Sequence, residues 1–289
     1  MRLRDKVAII TGAGAGLGRA SALLFAEEGA KVVIAEHNPE RADRVAGEIT
    51  AAGGTALAVH VDVSDQEQVR AMTDQAVSHF GKLDILFSNA GIGAPSIPFA
   101  EQTADQWRRV LDVNVIGMFN CIQAATPHLR ANGGGSILNC SSGAALAAVP
   151  GVPVYTATKG AINAMTRAFA LDLGQYNIRV NTLCPMGGMS ANFMRDADAP
   201  LVDEQSLFVG YTPADSPAPL ARPTPPRLID HARAALFLVS DDACWVNGVA
   251  LPTDGGAVIR PQLDIERTIR AYQSARFVGD CAGRAPSPG

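Results

Sequence analysis

The amino-acid sequence predicts a single α/β domain built as a doubly wound sheet of seven parallel strands with helices on both faces. Two observations predict it. Short apolar runs rich in Val, Ile and Leu alternate with helical patterns along nearly the whole chain, and such alternation gives a parallel sheet covered on both sides. The first run also leads straight into a glycine-rich turn and a helix, an arrangement that places ligands at the carboxyl ends of the strands.

The elements read in order. Strand-like runs fall at Lys6–Thr11, Lys31–Glu36, Thr55–Val61, Leu83–Ser88, Ser136–Asn139, Arg179–Leu183 and Val249–Pro252. Helical patterns alternate with them at Leu17–Glu28, Pro39–Ala52, Gln66–Phe80, Thr103–Ala131, Val154–Gln175 and Ile229–Ser240. Two stretches depart from the alternation. Residues 186–228 are rich in proline yet carry Met186, Met189, Phe193, Met194, Phe208 and Tyr211, whereas a compact connection is far shorter and a solvated loop is poor in such side chains. Residues 257–289 form a C-terminal extension whose end, Ala285-Pro286-Ser287-Pro288-Gly289, reads as disordered.

Bulk properties narrow the function. A chain of 289 residues buries most of its apolar surface, and motifs of one fold span nearly all of it, so one domain, 1–289, is expected. A formal charge of −4 and a pI near 5.7 give no footprint for nucleic acid or an anionic membrane; a small-molecule substrate is expected instead. The five cysteines lack paired metal-ligand spacing and read as buried free thiols in a reducing compartment. The first residues do not form a signal peptide, because Asp5 and Lys6 interrupt the apolar run, and no stretch approaches the roughly 20 apolar residues of a membrane span. A cytoplasmic protein is expected. The histidines are scattered without ligand spacing, so no metal is assigned.

The chemistry concentrates in two places. Lys6 to Arg19 contains Thr11-Gly12-Ala13-Gly14-Ala15-Gly16-Leu17-Gly18, where glycines permit a tight turn and bring backbone N–H groups close to a pyrophosphate at a helix N-terminus. Tyr155 and Lys159 stand four apart, thirteen residues after the second serine of Asn139-Cys140-Ser141-Ser142. On a helix that spacing sets a phenol and an ammonium on one face, where the cation favours phenolate and lowers a pKa ordinarily about 10. Either pattern alone is common; together they are not.

From about Leu3 to Gly256 these segments resemble the classical short-chain dehydrogenase/reductase family, with its Rossmann-like domain. Thr11-Gly12-x-x-x-Gly16-x-Gly18 fits that family's cofactor turn, Asn89-Ala90-Gly91 its strand-4 motif, and Asn114, Ser142, Tyr155 and Lys159 its catalytic tetrad. Asp62-Val63, Arg179-Val180-Asn181 before Pro185, and Asp254-Gly255-Gly256 also match. The resemblance implies that Tyr155 exchanges a proton with the substrate oxygen while the nicotinamide gives or takes a hydride. It implies that Ser142 bonds the same oxygen, that Lys159 holds the nicotinamide ribose, and that Asn114 positions water linking Lys159 to solvent. Ser141 is the nearest rival to Ser142; the offset to Tyr155 favours the second serine. Ala15, Leu17 and the Asp62-Val63 pair join the expected cofactor contacts, although Asp62 reads equally well as a turn-forming acid. Residues 1–185 then hold the cofactor and catalytic core, 186–228 the substrate loop, and a homotetramer pairs the helices Thr103–Ala131 and Val154–Gln175.

Cofactor choice turns on Glu36 and His37 at the end of the second strand. An acid there accepts hydrogen bonds from the adenosine ribose hydroxyls and repels a 2′-phosphate, which points to NAD. Arg19 is read as a solvent-facing helix residue. The pattern breaks at Cys184-Pro185-Met186-Gly187-Gly188-Met189-Ser190, where the family has glycine directly after the proline. Without a shift Met186 takes the glycine's place and Gly188 and Ser190 contact the carboxamide; with an inserted residue Gly187 and Met189 take those roles. The unshifted register keeps a hydroxyl at Ser190 and is preferred, and either way Met186 or Met189 faces the nicotinamide. Ser142, Ala144, Tyr155, Met186, Met189 and Phe193 form the expected substrate wall. The function expected is NAD-dependent interconversion of a bulky apolar secondary alcohol and its ketone. The alternatives are a 3-oxoacyl-carrier-protein reductase, disfavoured by Glu36 and by the uncharged segment Ala131 to Gly135, and a non-catalytic NAD-sensing protein, disfavoured by the complete tetrad.

Overall fold

The computed structural model describes residues 1–94, 98–149, 151–186, 218–220, 222 and 226–259. Contacts divide the chain into one compact unit, Met1–Val258, and a short one, Ile259–Gly289. The core of the first is a sheet of seven strands, all parallel: β1 (Val7–Thr11), β2 (Lys31–Glu36), β3 (Thr55–His60), β4 (Ile85–Ser88), β5 (Gly135–Cys140), β6 (Ile178–Pro185) and β7 (Ala250–Thr253). Their order is β3-β2-β1-β4-β5-β6-β7. The chain reverses direction of travel across the sheet between β1 and β4, and this switch opens a crevice beyond their carboxyl ends.

The seven strands are near-continuous apolar runs because most are covered on both faces. In β1, Val7 and Ile9 pack on one side with Val69 and Met72 of α3 (Gln66–Phe80), Ile122 of α5 (Gly117–Ala131) and Ile162 of α6 (Pro153–Gly174). Ala8 and Ile10 pack on the other with Phe25 of α1 (Gly16–Glu27), Val45 of α2 (Pro39–Ala51) and Leu236 of α7 (Leu228–Val239). The two-residue period of the strand is what sends neighbours to opposite cores. Fully buried side chains such as Phe25 and Phe87 each contribute about 1.5–3 kcal/mol relative to exposure.

Helix ends follow local chemistry. Asn38 caps α2 by accepting from the Arg41 N–H at 3.0 Å, and Asp65 caps α3 by accepting from Glu67 and Gln68 N–H groups. Gly81 ends α3 with φ of 85°, a conformation that favours glycine. Asp84 delays β4 by two residues past Leu83, its carboxylate accepting the Val7 N–H at 2.8 Å.

The helix expected over Thr103–Ala131 is not continuous. It begins with a capping box between Thr103 and Gln106, runs as α4 (Ala104–Leu111), passes through a π-helical turn over Asp112–Ile116 and continues as α5. A π turn carries one extra residue per turn, and buried Asn114 sits within it. The Asn114 side chain accepts the Ile92 N–H at 2.8 Å and donates to the Ile92 carbonyl and the Thr158 hydroxyl at 3.0 and 3.2 Å. Apolar periodicity is nearly blind to a single inserted residue, so the sequence pattern runs through unbroken.

Free thiols differ in burial: Cys121 and Cys184 are buried, Cys140 is half-buried and Cys244 is exposed, which narrows the expectation of buried thiols. Cys281, the C-terminal tail from 260 and most of the proline-rich segment lie outside the described residues. No described helix is long and apolar enough to cross a membrane.

The turn between β1 and α1 tolerates no side chain at Gly18, because a Cβ there would lie 2.1 Å from the Gly12 carbonyl oxygen. Gly18→Ala should therefore destabilise the fold by about 2 kcal/mol or more through backbone displacement. Urea denaturation of wild type and variant measures it; a midpoint unchanged within error would show that the turn relaxes freely.

Candidate active site

A cleft of about 640 Å³ lies beyond the carboxyl ends of the strands at the switch point. Gly12, Ala15, Gly16 and Leu17 line it from the β1–α1 turn, Glu36 and His37 from the end of β2, and Asp62 and Val63 from the end of β3. Asn89, Ala90 and Gly91 follow β4, and Tyr155, Lys159 and Pro185 close the far end. Each arrives there because parallel strands deliver all their carboxyl ends to one edge of the sheet.

The glycine turn is held by side chains as much as by its own backbone. Gly12 and Gly16 take φ of 64° and 55°, which L-residues adopt only with strain. Asn89 donates from its amide to the carbonyls of Thr11 and Gly12 at 3.0 and 3.2 Å, while the Thr11 hydroxyl accepts the Asn89 and Ala90 N–H groups, both at 3.0 Å. The strand-4 motif is thus the buttress of the turn. Helix α1 starts at Ala15 with no side-chain cap, in contrast to α2, α3 and α4. Its N-terminal N–H groups face the cleft that Ala15, Gly16 and Leu17 line, which suits an anionic ligand.

At the other end, α6 presents Tyr155 and Lys159 on one face, with the ammonium 5.5 Å from the centre of the phenol ring. Ser141 and Ser142 divide their work. Ser141 donates to the Lys159 carbonyl at 2.9 Å and so pins α6 to the end of β5. Ser142 accepts the Ala144 N–H at 3.1 Å and hydrogen-bonds the Tyr155 side chain. Ser141 lines the cleft. Lys159 is 2% exposed and donates to the Cys140 carbonyl at 2.9 Å. The described residues engage one of its three donors, and it lines the cleft.

Electrostatics run against the sequence-based expectation that Lys159 lowers the Tyr155 pKa. Burial pushes the phenol well above its ordinary value, the Cys140 thiol adds to this, and the Ser142 hydrogen bond works in the other direction. Burial also lowers the Lys159 pKa, with the Cys140 and Cys184 thiols opposing it. Removing both groups from water disfavours both charged forms, and at 5.5 Å from the ring the cation does not reverse that. The Cys140 thiol is pushed up by burial while Lys159 pulls it down.

Other expectations sort plainly. Asp62 lines the cleft, and its Oδ1 accepts both the N–H and the hydroxyl of Ser64 at 2.9 and 2.7 Å, so it is a turn-former as well. Asn114 does not line the cleft but lies behind Gly91, where a Cβ would stand 3.2 Å from Asn114 Oδ1 and 3.5 Å from Lys159 Nζ. Arg19 does not simply face solvent; it pairs with Glu48 at 2.7 Å. Met186 packs on Gly143, where a Cβ would come within 2.7 Å of its Cβ and Sδ. Gly188, Met189, Ser190 and Phe193 lie outside the described residues. The structure adds Arg41, Ser64, Ile92, Arg109, Leu228 and His231 to the cleft. Arg41 was detectable, one helical turn after His37; Leu228 and His231 arrive from α7 over a long sequence separation and left no local signal.

Beside Tyr155, Ala94, Val110, Ala144 and Val154 form a small buried apolar cluster, backed by Ile92, Trp107 and Val152. Tyr155 is thus packed against apolar side chains, of which Ile92 also lines the cleft. No group of His, Cys, Asp or Glu that would hold a metal occurs among the described residues.

Comparison with known proteins agrees with this geometry. Residues 6–200 match the family model for short chain dehydrogenases. The chain is 41% identical over 255 residues to a 2,5-dichloro-2,5-cyclohexadiene-1,4-diol dehydrogenase of Sphingobium indicum, covering 88% of this chain and 97% of that one. Among solved structures it is similar to a 7 alpha-hydroxysteroid dehydrogenase complexed with NADH and 7-oxo glycochenodeoxycholic acid, with a TM-score of 0.75, 37% identity, and coverage of 88% and 95% of the two chains. It is also similar to a 3-ketoacyl-(acyl-carrier-protein) reductase of Brucella melitensis complexed with NADH, with a TM-score of 0.76, 38% identity, and coverage of 89% and 99%. The crevice at the switch point, the buttressed glycine turn, the Ser142–Tyr155–Lys159 grouping and these matches place the chain in the short-chain dehydrogenase family of oxidoreductases.

Proposed function

We propose that the protein is an NAD-dependent dehydrogenase that interconverts a bulky apolar secondary alcohol and its ketone. The observation that carries this is the Tyr155 hydroxyl, joined to Ser142 and set against the apolar cluster of Ala94, Val110, Ala144 and Val154, with buried Lys159 at the adjoining end of the cleft. The dehydrogenase of a chlorinated cyclic diol and the hydroxysteroid dehydrogenase among its relatives act on compounds of that shape.

A bound nicotinamide dinucleotide supplies or accepts the hydride. The uncapped start of α1 and the turn Gly12–Gly18 hold its pyrophosphate, Glu36 its adenosine ribose, Asp62 and Val63 its adenine, and Asn89, Ala90 and Gly91 the middle of the cleft. Lys159 directs its remaining N–H donors to the nicotinamide ribose, and Pro185 stacks at the nicotinamide end. In ketone reduction Tyr155 donates its proton to the substrate oxygen; in alcohol oxidation its phenolate accepts one. Ser142 donates to the same oxygen and stabilises the charge that develops there. Asn114, through Ile92 and Thr158, fixes the backbone behind Gly91. Residues 186–228 serve as the substrate loop. The segment Thr103–Ala131 and helix α6 pair across two-fold axes in a homotetramer, a reading supported by exposed Ile116 in the π turn and Leu171 on α6.

A second reading, a 3-oxoacyl-carrier-protein reductase, draws on the similarity to the Brucella enzyme. Arg41, Arg108 and Arg109 line the cleft, Arg108 paired with Asp105 at 2.6 Å; the apolar cluster behind Tyr155 favours the first reading.

Tyr155→Phe should abolish turnover while dinucleotide affinity stays within a few fold, the pattern of a group that acts in the transition state. Because burial raises the phenol pKa, kcat/KM for alcohol oxidation should climb with pH from neutrality into the alkaline range, and ketone reduction should be favoured at lower pH. A flat oxidation profile between pH 6 and 10, or retained turnover in the variant, removes Tyr155 from the proton step.

Glu36 predicts a kcat/KM for NAD at least about tenfold above that for NADP, since a like charge at a ribose phosphate costs on the order of 1.4 kcal/mol or more. Equal values for the two dinucleotides overturn the assignment.

Across a panel of secondary alcohols, cyclic and steroidal compounds should exceed sugars and phosphate esters in kcat/KM by about tenfold or more, given the apolar cluster behind Tyr155. The highest value on a phosphorylated or polyhydroxylated compound, or on a carrier-bound thioester, sinks the apolar-substrate reading.

A further inference from the structure

The glycine turn is gripped at one residue, Gly14, by two charged side chains of opposite sign. The Gly14 N–H donates to Glu36 Oε2 at 2.9 Å, and the Gly14 carbonyl accepts from Arg44 Nη2 at 2.7 Å. Both side chains are themselves anchored. Glu36 Oε1 accepts the N–H groups of His37 and Asn38 at 3.0 and 3.2 Å. Arg44 Nη1 bonds Glu48 Oε1 at 2.7 Å, and the other oxygen of Glu48 accepts from Arg19 Nε and Nη2 at 2.9 and 2.7 Å. The relay Arg19–Glu48–Arg44 thus begins on α1, crosses α2 and ends on the turn that precedes α1.

Gly14 has no room to slide away from this grip. A Cβ at that position would meet Arg41 Cβ at 2.7 Å and Glu36 Cγ at 2.8 Å, so the peptide already lies in contact with the stems of its neighbours. Only Ala15 separates it from Gly16, whose N–H and those following open the uncapped helix. Charge-assisted hydrogen bonds are the stronger kind, and two of them, one on each of the peptide groups flanking the Gly14 Cα, restrain both of its backbone dihedrals.

We propose that Arg44 is a positioning residue for the dinucleotide: with Glu36 it clamps Gly14 through the peptide groups on either side of its Cα and so sets the glycine turn in its binding geometry, held in place by Glu48 and Arg19. The inference rests on the reading of the cleft as a dinucleotide site. It assigns Glu36 a second duty besides ribose recognition, and it gives Arg44, Glu48 and Arg19 a duty where sequence reading saw ordinary helix charges. The clamp acts on the turn common to every nicotinamide dinucleotide, so it sets affinity without setting the choice between NAD and NADP.

The test is titration of NADH and NADPH fluorescence on wild type, Arg44→Gln and Glu48→Gln, with thermal unfolding followed in parallel. Arg44→Gln is expected to raise the Kd of both dinucleotides by the same factor, about fivefold or more, and Glu48→Gln by a smaller common factor. In steady state the KM for dinucleotide should rise while the KM for the alcohol at saturating dinucleotide stays within twofold, which general loosening of the fold would not produce. A Kd within twofold of wild type in both folded variants overturns the clamp. So does a change in the NADH-to-NADPH ratio, which would make Arg44 a direct ribose contact. If Arg44→Gln does not fold, Glu48→Gln alone decides by the same criteria. A wild type that prefers NADPH overturns the Glu36 reading and leaves the clamp to be judged on that dinucleotide.

Discussion

The site depends on the burial of one ammonium. Lys159 is almost wholly withdrawn from water at the carboxyl end of β5, and an isolated cation there costs several kcal/mol unless hydrogen bonds replace its hydration. The fold supplies them through position. The Cys140 carbonyl is available to Nζ because β5 ends there, and Ser141 ties the Lys159 backbone to the same strand end. Asn114, lodged in the π turn, closes the other side through Ile92 and Thr158. Remove the strand end and the lysine has no partner; remove the π turn and Gly91 loses the surface behind it.

Burial also settles the competition at Tyr155. A cation beside a phenol stabilises phenolate, but withdrawal from water destabilises every charged form, and here the second effect is larger for both partners. Burial thus biases both groups toward their neutral forms. A neutral phenol is a hydrogen-bond donor. The sequence spacing correctly puts the two groups on one face; it says nothing about the solvent they have lost, and so the expected direction of the shift was reversed.

The same distinction governs how much of the molecule was readable in advance. The alternating runs located all seven strands, since a strand buried on both faces must be apolar throughout and β2 runs from Lys31 to Glu36 as expected. Gly12 and Gly18 were readable because turn geometry forbids side chains there. The π turn was not, because periodicity does not resolve one extra residue. Arg44, Glu48 and Arg19 were hidden for another reason: charged residues on amphipathic helices are normally solvated, and only the meeting of α1, α2 and the turn makes these three a relay. His231 is opaque in the same way, held by Thr253 at 2.8 Å across the last strand.

Met186 shows where a departure from the family pattern becomes physical. The position that usually carries glycine after Pro185 carries a methionine, and the space for it is found at Gly143, directly after Ser142, where no Cβ competes with its thioether. The absence of a side chain at 143 leaves the space that the Met186 side chain fills. A methionine is unbranched and polarisable and fills irregular gaps, so this packing keeps the apolar surface next to Ser142 continuous while β6 still pairs with β7 at Pro185 and Thr253. The consequence is a coupled pair, in which a side chain at Gly143 displaces Met186.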